Sequence, residues 1–165
     1  MSPRINLFAV APKTMQPMLA LQTYVDGSGL EAKLLHLVKL RASQLNGCAY
    51  CIDMHSKEAR AAGEAEQRLY GLSAWSETPF YTARERAALA WTEAVTLITE
   101  GHVPDHAFAA AREQFSEEEL VNLTLAITTI NAWNRLSVAF RAEPGSYERR
   151  VSSVSVSSSR PQSAS

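Results

Sequence analysis

Apolar positions recur at intervals of three and four between Leu30 and Leu45. Leu34, Leu37, Val38, the aliphatic stem of Arg41 and Leu45 fall on one side of a helix. Asn46-Gly47 breaks the pattern, and a glycine there suits a left-handed C-terminal cap. A second helix is expected from Cys48 to Ala62, stopping at Gly63, with a short one over Glu64–Tyr70. Thr82-Ala83-Arg84-Glu85 reads as a capping box that opens a helix to about Thr99, with Leu89, Trp91 and Val95 among its apolar residues and Gly101 beyond its end. Pro104 fits the first turn of the next helix, which runs through Phe115. Ser116-Glu117-Glu118-Glu119 is a second capping box, ahead of a long apolar helix through Leu123, Ile127, Ile130, Trp133, Leu136 and Phe140. Upstream, residues 1–29 read as an irregular lead-in with one short helix near Met15–Tyr24, closed by the turn cluster Asp26-Gly27-Ser28-Gly29. Ser73–Tyr81, which contains Pro79, reads as a loop. No stretch alternates as a strand would, so the pattern predicts an all-α fold.

Pro144-Gly145 closes the helical part of the chain. Eight of the fifteen residues from 151 to 165 are Ser, a composition too polar to bury, so a disordered tail is expected there. That leaves one helical domain over residues 1–150, and 46% apolar residues supply it with a core that needs no disulfide staples. The net charge of −1 and the absence of a basic stripe argue against nucleic acid as a partner. No run of 18 apolar residues is present, which argues against a membrane span. Met1-Ser2-Pro3-Arg4-Ile5-Asn6 lacks a secretory apolar segment, and a cytoplasmic location is expected.

Two cysteines are present, Cys48 and Cys51. In a reducing compartment a structural staple is not the default reading, and so short a loop gains little entropy from closure. With Cys48 at the start of a helix, free backbone N–H groups and the positive end of the helix dipole favour a thiolate. Residues 48, 51 and 55 share one helical face. Rise alone separates residues three apart by about 4.5 Å, within the range a disulfide spans. His55 lies one turn beyond Cys51, and its ordinary pKa near 6.5 suits proton transfer at neutral pH. The spacing therefore offers two thiols and a proton carrier. It is also compatible with two inert buried cysteines, or with a fragment of a zinc site, although His36, His102 and His106 lie elsewhere in sequence and structural zinc needs four ligands.

The run from Leu35 to Arg60, with Asn46-Gly47-Cys48-Ala49-Tyr50-Cys51-Ile52-Asp53-Met54-His55 at its centre, resembles the core of the alkylhydroperoxidase D-like branch of the carboxymuconolactone decarboxylase family. Glu66–Tyr70, Thr78-Pro79-Phe80, Glu85–Trp91 and Asn131–Leu136 resemble it as well, so the likeness covers roughly residues 15–142. The resemblance implies an all-α protein that assembles as a homo-oligomer, a trimer or hexamer. It implies a peroxidase that uses no haem, flavin or metal cofactor. By that analogy Cys51 attacks a hydroperoxide and becomes a sulfenic acid, Cys48 resolves it to a disulfide, and His55 relays protons. An external thiol reductant, in some relatives a lipoyl-bearing protein, then resets the pair. Two positions depart from the pattern. His36 stands where the family carries a Glu twelve residues before the first cysteine, and it is a further catalytic candidate. Tyr50 stands where relatives carry a His between the cysteines. A thiol–disulfide reductase or adaptor, a lactone decarboxylase and a non-enzymatic oligomeric protein remain alternative readings.

Overall fold

The computed structural model describes residues 2–149. Its elements are α1 (Leu7–Val10), α2 (Pro12–Asp26), α3 (Ala32–Leu45), α4 (Ala49–Ala61), α5 (Glu66–Tyr70), a 3₁₀ turn (Leu72–Glu77), α6 (Ala83–Thr96), α7 (Asp105–Gln114) and α8 (Glu117–Phe140). All are helical, with no strand among the described residues. The expected tail from residue 151 lies outside the described residues.

Helix α3 is the central element and packs against α4, α6 and α8. Its apolar residues divide between two cores. Leu34, Leu35 and Val38 join Ala88, Trp91, Phe115, Leu123 and Ile127 on the α6–α8 side. Leu37 and Leu40 join Ala59, Leu69, Leu72 and Leu89 on the α4–α5 side. No helix among the described residues is long and apolar enough to cross a membrane.

Both capping boxes form. Thr82 and Glu85 exchange reciprocal bonds at the start of α6, as do Ser116 and Glu119 at the start of α8. Several boundaries differ from expectation. The lead-in holds two helices, and α2 extends well beyond Met15–Tyr24 because Pro12 occupies its first turn. Its buried residues are Met15 and Val25, ten apart, too sparse to print a helical period. The segment after Leu72 is a 3₁₀ turn rather than open loop. The Arg86 guanidinium ties it down by donating to the carbonyls of Trp75, Ser76 and Thr78. Helix α6 ends at Thr96, and Pro104 caps α7 from outside. Arg41 presents more than a stem, since its guanidinium pairs with Glu93 at 2.8 Å.

The junction of α3 and α4 is a tight double cap. Gly47 adopts φ +63°, so a side chain there would be strained. The Gly47 N–H donates to the Gln44 carbonyl and the Cys48 N–H to the Ser43 carbonyl, the paired bonds of a Schellman motif. Cys48 thus closes α3 and caps α4 within one residue. Buried polar groups brace the turn from α8. Asn46 Nδ2 lies 2.9 Å from Oδ1 of both Asn131 and Asn134, and Asn134 Nδ2 donates to Ser43 Oγ at 3.0 Å.

Candidate active site

Helix α4 begins at Ala49, with Cys48 as its N-cap. The Cys51 backbone N–H donates to Cys48 Sγ at 3.3 Å, so the sulfur meets the orphan donors of the helix start. The Cα atoms of Cys48 and Cys51 are 5.3 Å apart and the two residues are joined as a disulfide. Each is 1% exposed.

A cleft of about 860 Å³ opens beside this pair. Cys51, His55 and His36 all line it, whereas Cys48 does not. The two sulfurs are therefore distinct: one borders the cleft and the other is tucked behind it at the junction with α3. Helix α8 supplies apolar wall through Trp133, Leu136 and Phe140, and residues from the stretches 3–8 and 142–147 complete the rim. Tyr50 also lines the cleft.

His55 is 7% exposed and its Nε2 has no hydrogen-bond partner; His36 Nδ1, on α3, is in the same condition. Buried polar atoms without partners are costly and rare, and both of these belong to residues that line the cleft. Burial pushes the His55 pKa down to about 3, with the Lys39 ammonium and His36 adding to the effect. Burial, and then Lys39, also lower His36. Both imidazoles are thus neutral at pH 7. The expectation that His55 keeps its ordinary pKa is corrected here, because sequence spacing cannot register how little water reaches the ring. Among the described residues, no three His, Cys, Asp or Glu side chains converge as a metal-ligand group.

The structure adds one group that spacing did not single out. Lys39, one turn beyond His36 on α3, lines the same cleft and is buried in an ion pair with Asp26. Its position three residues after His36 places both on one helical face, which is the signal that could have found it.

The sequence model of the carboxymuconolactone decarboxylase family matches residues 12–94, a span that contains both cysteines, His36 and His55. The chain is 45% identical over 139 residues to the uncharacterized protein YdfG of Bacillus subtilis (strain 168), covering 84% of this chain and 95% of that one. It is 49% identical to a protein of unknown function from Agrobacterium tumefaciens, provisionally described as the antioxidant defence protein AhpD. That crystal structure superposes with a TM-score of 0.85 over 86% of this chain and 97% of its own. An uncharacterized peroxidase-related protein from Silicibacter sp. TM1040 shares the fold at 18% identity, with a TM-score of 0.75 over 84% and 74% of the two chains.

Proposed function

We propose, for a chain that belongs to the alkylhydroperoxidase D-like branch of the carboxymuconolactone decarboxylase family, a thiol-dependent peroxidase activity that cycles Cys48 and Cys51 between dithiol and disulfide. The relatives support an antioxidant, peroxidase-related role. The observation that carries the finer reading is the asymmetry of the pair: Cys51 borders a cleft with two partnerless imidazoles, and Cys48 stands directly behind it.

In this reading the Cys51 thiolate attacks the terminal oxygen of a hydroperoxide. The S–O bond forms as the O–O bond breaks, the sulfur loses two electrons to the peroxide, and the alcohol leaves with one proton. Cys48 then attacks the sulfenic sulfur. The S–S bond forms, the S–O bond breaks, and water departs with the proton that Cys48 gives up. An external dithiol, or two thiol equivalents, returns two electrons and two protons to the pair and leaves as a disulfide. His55 and His36 act as neutral imidazoles, each able to accept a hydrogen bond at its free nitrogen and to pass a proton on. Neither stores one between turnovers.

The test is the stoichiometry of oxidation. One equivalent of hydroperoxide added to the reduced protein is expected to remove two thiols, read by an alkylating mass tag. A thiol–disulfide adaptor shares the same dithiol but leaves the peroxide unconsumed, so a peroxide assay on the same sample separates the two readings.

A further inference from the structure

Among the described residues, Lys39 is the one cationic side chain that lines the cleft beside Cys51. Its side chain is 8% exposed, and its Nζ lies 2.6 Å from Asp26 Oδ1, the last residue of α2. An ammonium has three donors, and this carboxylate takes one of them. Asp26 itself is 54% exposed and also accepts from Gln22 Nε2, so part of its charge is spread toward solvent. A buried cation is rare unless something uses or neutralises it. Asp26 neutralises it in part, and a thiolate at Cys51 is a further anion that the cleft can present, beside the carboxylates of Glu58 and Glu143.

The remaining charges around Cys51 leave this role open. On α3, His36 is neutral. On α4, His55 is neutral, Tyr50 forms wall, and Glu58 is engaged by the Tyr147 hydroxyl and, at 3.7 Å, by Arg149. From the segment after α8, Tyr147 has its pKa pushed up to about 12 by burial and Glu58, and Glu143 sits exposed at the rim. Helix α8 contributes Trp133, Leu136, Ser137 and Phe140, which carry no charge. A thiolate formed at Cys51 thus meets a cleft without a histidinium, where Lys39 is the cation at hand.

We propose that Lys39 is the positioning residue of the thiol chemistry: its ammonium, seated at the cleft by Asp26, supplies the positive charge that stabilises the Cys51 thiolate. The proposal rests on the peroxidase reading only for its use; the ionisation itself is a property of the reduced protein and is measured without peroxide.

The experiment follows the rate of Cys51 alkylation by iodoacetamide against pH in the fully reduced full-length protein, with peptide mass spectrometry assigning the label. Lys39→Met is expected to move the midpoint upward by about one pH unit. Lys39→Arg keeps the charge and is expected to stay within a few tenths of a unit of the parent. Asp26→Asn removes the counter-charge and is expected to move the midpoint downward. The equilibrium with dithiothreitol gives a second readout: Lys39→Met should make the disulfide several-fold harder to reduce, because the thiolate form has lost its support. A Lys39→Met midpoint equal to the parent's, in a protein with an unchanged circular dichroism spectrum, overturns the proposal. If Lys39→Met does not fold, Asp26→Asn decides, and an unmoved or raised midpoint overturns it. Failure here leaves peroxide-driven loss of two thiols intact, so the two readings fall separately.

Discussion

At the residue scale, His55 decides how the site handles protons. Its pKa is about 3 in the folded protein against 6.5 ordinarily, because burial excludes the charged form. Between those values the unfolded chain binds a proton that the folded chain does not. Stability is therefore complete above about pH 6.5, falls as pH drops toward 3 and levels off below that. The total is on the order of several kcal/mol. His36 is lowered too and acts in the same direction. The lowered carboxyls Glu31, Glu85 and Glu119 act only below about 4.5, so the upper part of the window belongs to the histidines. His55→Gln is expected to flatten the decline between pH 6.5 and 5, measured by urea unfolding at each pH; slopes equal to the parent's would remove this account of the ring. Cys48, Cys51 and His55 were legible in the sequence because they share one helix and their spacing alone sets their face. Lys39 was not, because its meaning depends on Asp26 and on a cleft built from five separated segments.

At the element scale, a local polar signal is legible in the sequence wherever it is self-contained. Both capping boxes need only residues three apart, and both form. Ser116→Ala is expected to lower stability by about 1 kcal/mol, read as a shift of the urea midpoint with an unchanged slope. Elements held by tertiary partners carry no such local signal. The 3₁₀ turn at Leu72–Glu77 depends on Arg86 from α6, and no periodicity within it announces that support. The turn at Asn46-Gly47-Cys48 was legible as a break, but its bracing from α8 was not. Asn134 is fully buried between Asn46 and Ser43. Asn134→Leu removes both of these bonds while Asn46 keeps Asn131 and the Ala42 carbonyl and Ser43 keeps the Lys39 carbonyl, and it is expected to cost about 1–2 kcal/mol. Because the turn carries Cys48, the same change should also slow disulfide closure after sulfenic acid forms, seen as persistence of a sulfenic-acid label.

At the scale of the whole molecule, α3 separates two apolar cores and presents His36 and Lys39 to the cleft from between them. The fold class followed from periodicity and the family from the motif. What lay beyond both was the cleft itself, since Trp133 and Phe140 reach it from a helix more than 80 residues away. Assembly into a homo-oligomer is proposed from the family, and the exposed Phe108, Val121 and Val138 are compatible with a covered surface. Light scattering at micromolar concentration should report a multiple of 18.1 kDa, and a value near the monomer mass would contradict it. The central claim is the dithiol peroxidase cycle. Its most direct test is a stopped-flow record of thiol loss in the reduced protein, mixed in turn with hydrogen peroxide and an organic hydroperoxide, while peroxide consumption is followed in the same sample. The account predicts two thiols lost for each peroxide consumed, both from the Cys48–Cys51 pair, a Cys51 sulfenic acid with no disulfide partner in Cys48→Ser, and no peroxide attack at Cys48 in Cys51→Ser. Peroxide turnover that leaves both thiols free, or a dithiol that no peroxide oxidises, would contradict it.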